Sequence, residues 1–117
     1  MIRAVLFDMD GVLLDTESLG LAAMTQIAGE YGYRVDKAFY ITTLGVPNVD
    51  CEAIYKAALG PTFPYREAIE RFRAYFAEYN RTRALPRKAG LMACLHGLRE
   101  RGLRVSLATS TVRPLVE

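Results

Sequence analysis

Two short apolar runs, residues 2–7 (Ile-Arg-Ala-Val-Leu-Phe) and residues 103–108 (Leu-Arg-Val-Ser-Leu-Ala), flank a long stretch whose apolar residues recur every three or four positions. The flanking runs are short, branched and bounded by turn residues, so each reads as a β-strand, the first as a buried one. The stretch between them reads as helix. Strands separated by helix predict an α/β fold in which a right-handed crossover joins parallel neighbours. The block from Asp15 to about Leu85 is much longer than a crossover needs, so it is expected to be an inserted helical domain.

Within that block, Leu19, Ala23, Ile27 and Tyr31 predict one helix face, with Asp15 and Glu17 near its positive end and Gly29 and Gly32 closing it. A second helix is expected after Pro47-Asn48, with Val49, Ala53, Ile54 and Ala57 on one side and Gly60-Pro61 at its end. The strongest pattern spans 65–82, where Tyr65, Ala68, Ile69, Phe72, Phe76 and Tyr79 form a single stripe. Aromatics at that spacing fit core packing better than base stacking, because Glu67, Glu70 and Glu78 interrupt the basic residues. A further helix through Leu91, Leu95 and Leu98 leads to Gly102 and the second strand.

Composition removes several classes of function. The 117 residues carry 15 Lys and Arg against 13 Asp and Glu, a net charge of +2 with no basic stripe, which argues against nucleic acid as a partner. No apolar run approaches the roughly 20 residues of a membrane helix, and the N-terminus lacks the pattern of a secretory signal. Cys51 and Cys94 have no metal-ligand spacing and are expected to be reduced packing thiols in a cytoplasmic protein.

Chemistry concentrates where the strands end. Ligands of an open parallel sheet bind beyond the carboxyl ends of its strands. Asp8 closes the first strand and Thr109 follows the second, so neighbouring strands would bring the two to one site. Asp8 and Asp10 flank a turn at Gly11, whose missing side chain permits close approach to a ligand. A calcium loop would need further oxygen ligands, and Val12, Leu13 and Leu14 follow instead.

The longer string Asp8-Met-Asp-Gly-Val-Leu-Leu-Asp-Thr-Glu17 resembles the opening motif of the haloacid dehalogenase (HAD) superfamily, in its β-phosphoglucomutase-like form. Leu44-Gly45-Val46-Pro47 is similar to that group's cap loop, and Leu107-Ala108-Thr109-Ser110 to its second motif. The resemblance implies an incomplete Rossmann-like parallel sheet as the core (residues 1–14 and 86–117) with a helical cap inserted at 15–85. It implies a phosphatase acting on a small phosphorylated metabolite through an aspartyl-phosphate, with Mg²⁺ as cofactor. Asp8 would be the nucleophile and Asp10 the general acid/base. Asp8 and the Asp10 backbone carbonyl would hold the metal; Gly11, Thr109 and Ser110 would hold phosphoryl oxygens; Gly45, Val46 and Asn48 would be cap contacts to substrate.

The pattern also departs from the resemblance. The resemblance places a Lys or Arg for the phosphorylated aspartate, and acidic residues completing the metal site, beyond Thr109. Neither motif is matched: Arg113 is the one cation in that stretch, and Lys37, Lys56 and Lys88 all precede the second strand. Sugar-phosphate mutases of the group place an arginine where this chain has Asn48 and a histidine where it has Gly20, which favours phosphatase over the alternative of a phosphomutase. The other alternative is a catalytically incomplete fragment. A two-strand core would leave an open edge, which makes self-association of the core an expectation.

Overall fold

The computed structural model describes residues 1–110. Strand β1 (Ala4–Asp8) is followed by helices α1 (Thr16–Glu30), α2 (Lys37–Thr42), α3 (Asn48–Leu59), α4 (Tyr65–Thr82) and α5 (Leu91–Glu100), and then by strand β2 (Arg104–Ala108). The chain divides into two compact units, one made of Met1–Glu17 with the chain from Leu85 on, the other of Ser18–Ala84. No described helix is long and apolar enough to cross a membrane.

In the first unit β1 and β2 pair in parallel, in step from Ala4 opposite Arg104 to Asp8 opposite Ala108. Helix α5 ends where Gly102 adopts φ +70°, and the Leu103 amide donates back to the Leu98 carbonyl at 3.1 Å. That reversal aims the chain into β2, a turn that glycine makes without the Cβ penalty other residues meet. The expectation of a buried first strand is corrected. Val5 and Phe7 are half-buried, but Leu6 is 67% exposed and every residue of β2 is open to solvent. Among the described residues this unit buries one hydrophobic side chain, Met9. Two paired strands do not supply enough surface to cover a parallel sheet.

The second unit is helical and holds the core. Met24, Val35 and Phe63 are its largest fully buried side chains. The Tyr55 ring sits among three others: edge-on to Phe39 at 4.9 Å, stacked on Phe63 at 5.6 Å and tilted against Tyr65 at 5.2 Å. Such rings bury large areas in favourable mutual orientations. Helix α1 runs through Gly29 rather than stopping there; Gly32, at φ +84°, makes the turn, with the Tyr33 amide donating to the Ala28 carbonyl. The short α2 escaped the periodicity because six residues carry under two turns of pattern. It is fixed by Asp36, whose carboxylate accepts the Phe39 amide at 2.9 Å.

The inward face of α3 also differs from expectation. Cys51 and Tyr55 are buried and Ile54 is half-buried, whereas Val49 is 81% exposed and Ala53 and Ala57 face solvent. One tyrosine ring buries more apolar surface than two alanine methyls, so the aromatic sets the helix rotation. Cys51 packs in the core; Cys94 is free and exposed, contrary to the expectation that both thiols pack. Helix α4 follows its stripe, with Tyr65 and Ala68 buried and Ile69, Phe72, Phe76 and Tyr79 half-buried. His96 lies on the surface, paired with Glu100 at 3.3 Å.

This core has two measurable consequences for stability. Gly20 is buried in α1, and a Cβ there would overlap the Tyr40 hydroxyl and lie 3.3 Å from Phe72 Cζ. Gly20→Ala gains helix propensity of about 1 kcal/mol, yet overpacking of about 1–3 kcal/mol should lower the thermal midpoint. Adding Tyr40→Phe should recover part of the loss; a midpoint raised by Gly20→Ala alone would contradict the packing. Burial pushes the Tyr55 hydroxyl up to about 12 and raises Tyr65 further. A phenol raised above its unfolded value stabilises the fold fully below that value. The contribution, roughly 2–3 kcal/mol for Tyr55, is lost as pH climbs from about 10 through about 12. Absorbance titration at alkaline pH should show the Tyr55 and Tyr65 tyrosinates appearing late and together with loss of helical circular dichroism.

Candidate active site

Asp8 ends β1 and Ala108 ends β2 directly opposite it, so Thr109 begins where Asp8 stops. Asp8 is exposed and Thr109 half-buried. The Met9 amide donates to Asp8 Oδ1 at 2.8 Å, which fixes one carboxylate oxygen close to the strand. Ser110 is exposed next in line; Thr111, the last residue of that polar run, lies outside the described residues.

The turn after Asp8 winds about a single carbonyl. Met9 O accepts from the amides of Val12 (3.4 Å), Leu13 (3.0 Å) and Leu14 (3.1 Å), while the Gly11 amide donates to the Leu14 carbonyl at 2.9 Å. This closure requires Gly11 at φ +76°, a left-handed conformation that costs other residues free energy. The buried Met9 side chain anchors the loop from within. Asp10 is thereby exposed on the turn, and Thr16 Oγ1 donates to its Oδ1 at 2.9 Å. Glu17 brings its carboxylate against Gly11, where an added Cβ would overlap it.

Asp8, Asp10, Gly11, Thr109 and Ser110 therefore belong to one unit at the carboxyl ends of paired strands. Gly45, Val46 and Asn48 come together elsewhere, in the connection from α2 to α3 within the helical unit. There Gly45 takes φ +75°, the Val46 amide donates to the Thr43 carbonyl at 3.3 Å, and Asn48 opens α3, exposed. Among the described residues no group of three or more His, Cys, Asp or Glu is placed to hold a metal ion. Reading the residues one by one missed the contacts of Thr16 and Glu17. Their signal was position alone: both open α1 directly after the turn.

The family described as haloacid dehalogenase-like hydrolase matches residues 5–117, nearly the whole chain. The chain belongs to the haloacid dehalogenase-like hydrolases. A phosphorylated carbohydrates phosphatase of Thermotoga maritima is 30% identical over 112 residues, covering 93% of this chain and 50% of that protein. The crystal structure of CbbY from Rhodobacter sphaeroides in complex with phosphate matches with a TM-score of 0.61 at 27% identity, covering 100% of this chain and 55% of the other. A HAD family hydrolase from Deinococcus radiodurans, with bound phosphate and sodium, shares the fold with a TM-score of 0.74 at 22% identity, over 97% of this chain and 49% of its own. The chain thus spans about half the length of the relatives it matches. Within this haloacid dehalogenase-like hydrolase, two parallel strands and their helices correspond to the N-terminal part of the family fold.

The turn geometry can be tested at two glycines. Gly11 and Gly32 both have positive φ, but a Cβ meets nothing within 4 Å at Gly32 and overlaps Glu17 at Gly11. Gly32→Ala should cost only the backbone strain, on the order of 1 kcal/mol. Gly11→Ala should cost a similar amount, on the order of 1 kcal/mol, because the Glu17 carboxylate is the exposed end of a flexible side chain and can swing aside. A Gly11→Ala midpoint far below that of Gly32→Ala would show that the Glu17 carboxylate cannot move away from the turn.

Proposed function

We propose that this chain carries the nucleophile and the proton-transfer residue of a magnesium-dependent phosphatase acting on a small phosphorylated metabolite. The observation that carries the reading is the in-step pairing of β1 with β2, which sets Asp8 beside Thr109 at the carboxyl ends of the strands. In this reading residues 1–14 and 86–117 are an incomplete Rossmann-like core and residues 15–85 its helical cap. The Thermotoga relative is a phosphatase of phosphorylated carbohydrates, and the CbbY structure holds phosphate. Both support phosphate esters as the substrate class.

Asp8 attacks phosphorus through a carboxylate oxygen. An O–P bond forms to Asp8 as the ester O–P bond breaks, and Asp10 gives its proton to the departing oxygen. In the second half Asp10 takes a proton from water, the water oxygen bonds to phosphorus, and the Asp8 carboxylate is released with inorganic phosphate. The Thr109 hydroxyl, the Ser110 hydroxyl and the Gly11 backbone hold phosphoryl oxygens in place. The donors here fit Mg²⁺, a hard ion content with one or two protein oxygens plus waters and substrate phosphate. Asp8, by its carboxylate, and Asp10, by its main-chain carbonyl, would hold it. When bound, the ion supplies relief of the repulsion between carboxylate and phosphate.

A phosphomutase is the second reading within the family. Two observations favour the phosphatase. The buried Gly20 has no room for a side chain beside Tyr40, and the exposed Asn48 carries no charge to hold a second phosphate.

With p-nitrophenyl phosphate or a sugar monophosphate and Mg²⁺, the protein should release inorganic phosphate. Asp8→Asn should lower turnover by roughly 10³-fold or more, and Asp10→Asn by about 10²–10⁴-fold. Chelation of Mg²⁺ should abolish the reaction reversibly. Full activity in Asp8→Asn would end the proposal, and phosphate returned to the sugar rather than to water would favour the mutase.

A further inference from the structure

The polypeptide leaves the sheet-bearing unit after Glu17 and re-enters it at Leu85. On the sheet-bearing side of those crossings the outgoing and returning segments are joined. The Asp15 amide donates to the Pro86 carbonyl at 2.7 Å, the Lys88 amide donates to the Leu13 carbonyl at 2.9 Å, and Leu14 pairs with Arg87 in an antiparallel bridge. One ionic contact is added to this short ladder. Lys88 Nζ stands 3.6 Å from Asp15 Oδ1, an oxygen that is itself shut off from solvent.

The ladder reaches the site through the two residues after Asp15. Asp15 is tied to the returning segment, Thr16 donates to Asp10, and the Glu17 carboxylate lies over Gly11, in the space a Cβ there would occupy. Three consecutive residues thus connect the Pro86–Lys88 segment to the turn that presents Asp10. Consecutive residues entering a helix move together, because the start of α1 fixes their backbone dihedrals. Where Asp15 sits therefore decides whether the Thr16 hydroxyl meets Asp10. Two main-chain bonds alone form a ladder free to fray at its ends. A cation facing a solvent-shielded carboxylate oxygen opposes that fraying, and the pair is screened less than one in open water.

The geometry points to Lys88 as a positioning residue: its ion pair with Asp15 holds Thr16 and Glu17 on the Asp10–Gly11 turn. The assignment rests on the proposed role of Asp10 as proton-transfer residue. The influence of Lys88 on Asp10 is indirect, passing through Asp15 and Thr16. Its place in the chain, before α5 rather than after β2, separates it from the cation that the family resemblance locates beyond Thr109.

The test compares wild type, Lys88→Met, Lys88→Arg and Asp15→Asn by site-resolved amide exchange and by the χ1 couplings of Thr16. In Lys88→Met, exchange at the Asp15 and Lys88 amides should quicken about three- to fivefold, and Thr16 should begin to average over rotamers. Amides inside α4 should keep their wild-type rates. Lys88→Arg should restore both readouts, and Asp15→Asn combined with Lys88→Met should add nothing beyond either change alone. Unchanged exchange and couplings in Lys88→Met would overturn the assignment, as would acceleration spread equally through α4. Under turnover of p-nitrophenyl phosphate, Lys88→Met should lower kcat about three- to tenfold with KM held. A wild type that releases no phosphate would defeat the phosphatase reading while the exchange result still decides the role of Lys88.

Discussion

Register between two five-residue strands determines the candidate site. Asp8 and Thr109 stand at opposite ends of the described sequence, and only the pairing of Asp8 with Ala108 makes them neighbours. In a parallel pair both strands point the same way, so their carboxyl ends share one edge of the sheet. A slip of one residue would turn every side chain of β2 to the other face. It would also shift Thr109 by one residue along the strand direction relative to Asp8. The chemistry therefore depends on main-chain hydrogen bonds that name no side chain.

The two units meet this dependence with unequal resources. The helical unit has a well-filled aromatic core about Tyr55, Phe63 and Tyr65, with Met24 and Val35 closed off from solvent. The unit that bears Asp8 buries Met9 and leaves Leu6, Val105 and Leu107 open, among its described residues. Its order comes from hydrogen bonds: the strand ladder, the turn wound on the Met9 carbonyl and the Asp15–Pro86 and Lys88–Leu13 pair. Net hydrogen-bond contributions are small, about 1 kcal/mol each, whereas burial of each large apolar side chain contributes about 1.5–3 kcal/mol. Among the described residues, the unit that bears the candidate site is thus the one with less buried apolar surface. Apolar surface on its sheet is what further packing would use.

At the turn itself, conformation and electrostatics act together. Gly11 supplies a backbone geometry that costs other residues free energy, and the space above it is taken by the Glu17 carboxylate. The Thr16 hydroxyl gives Asp10 a fixed direction. Asp8 has one oxygen engaged by the adjacent Met9 amide. Two carboxylates close in sequence therefore differ in surroundings, one tied to the main chain and the other to the start of a helix.

The order strand, helices, strand was legible from periodicity, and so were α4 over Tyr65–Thr82 and the turn at Gly11, because hydrophobic spacing and glycine act locally. The motif from Asp8 to Glu17 pointed to the family without any geometry. Side-chain partners were not legible. Alanine and valine spacing suggested the wrong face of α3, since the rotation of that helix depends on where the Tyr55 ring finds its aromatic neighbours. Helix α2 carried too few residues for a period, and its Asp36 cap is recognisable only once the helix exists. Nothing in the string connects Lys88 with Asp15, or Thr16 with Asp10; those pairs form when the returning segment is laid beside the outgoing one. Sequence alone determined which residues can do chemistry, because that is a property of each side chain. Tertiary structure decided which of them meet, because distance through space depends on strand register and helix rotation, and neither is set by the residues concerned.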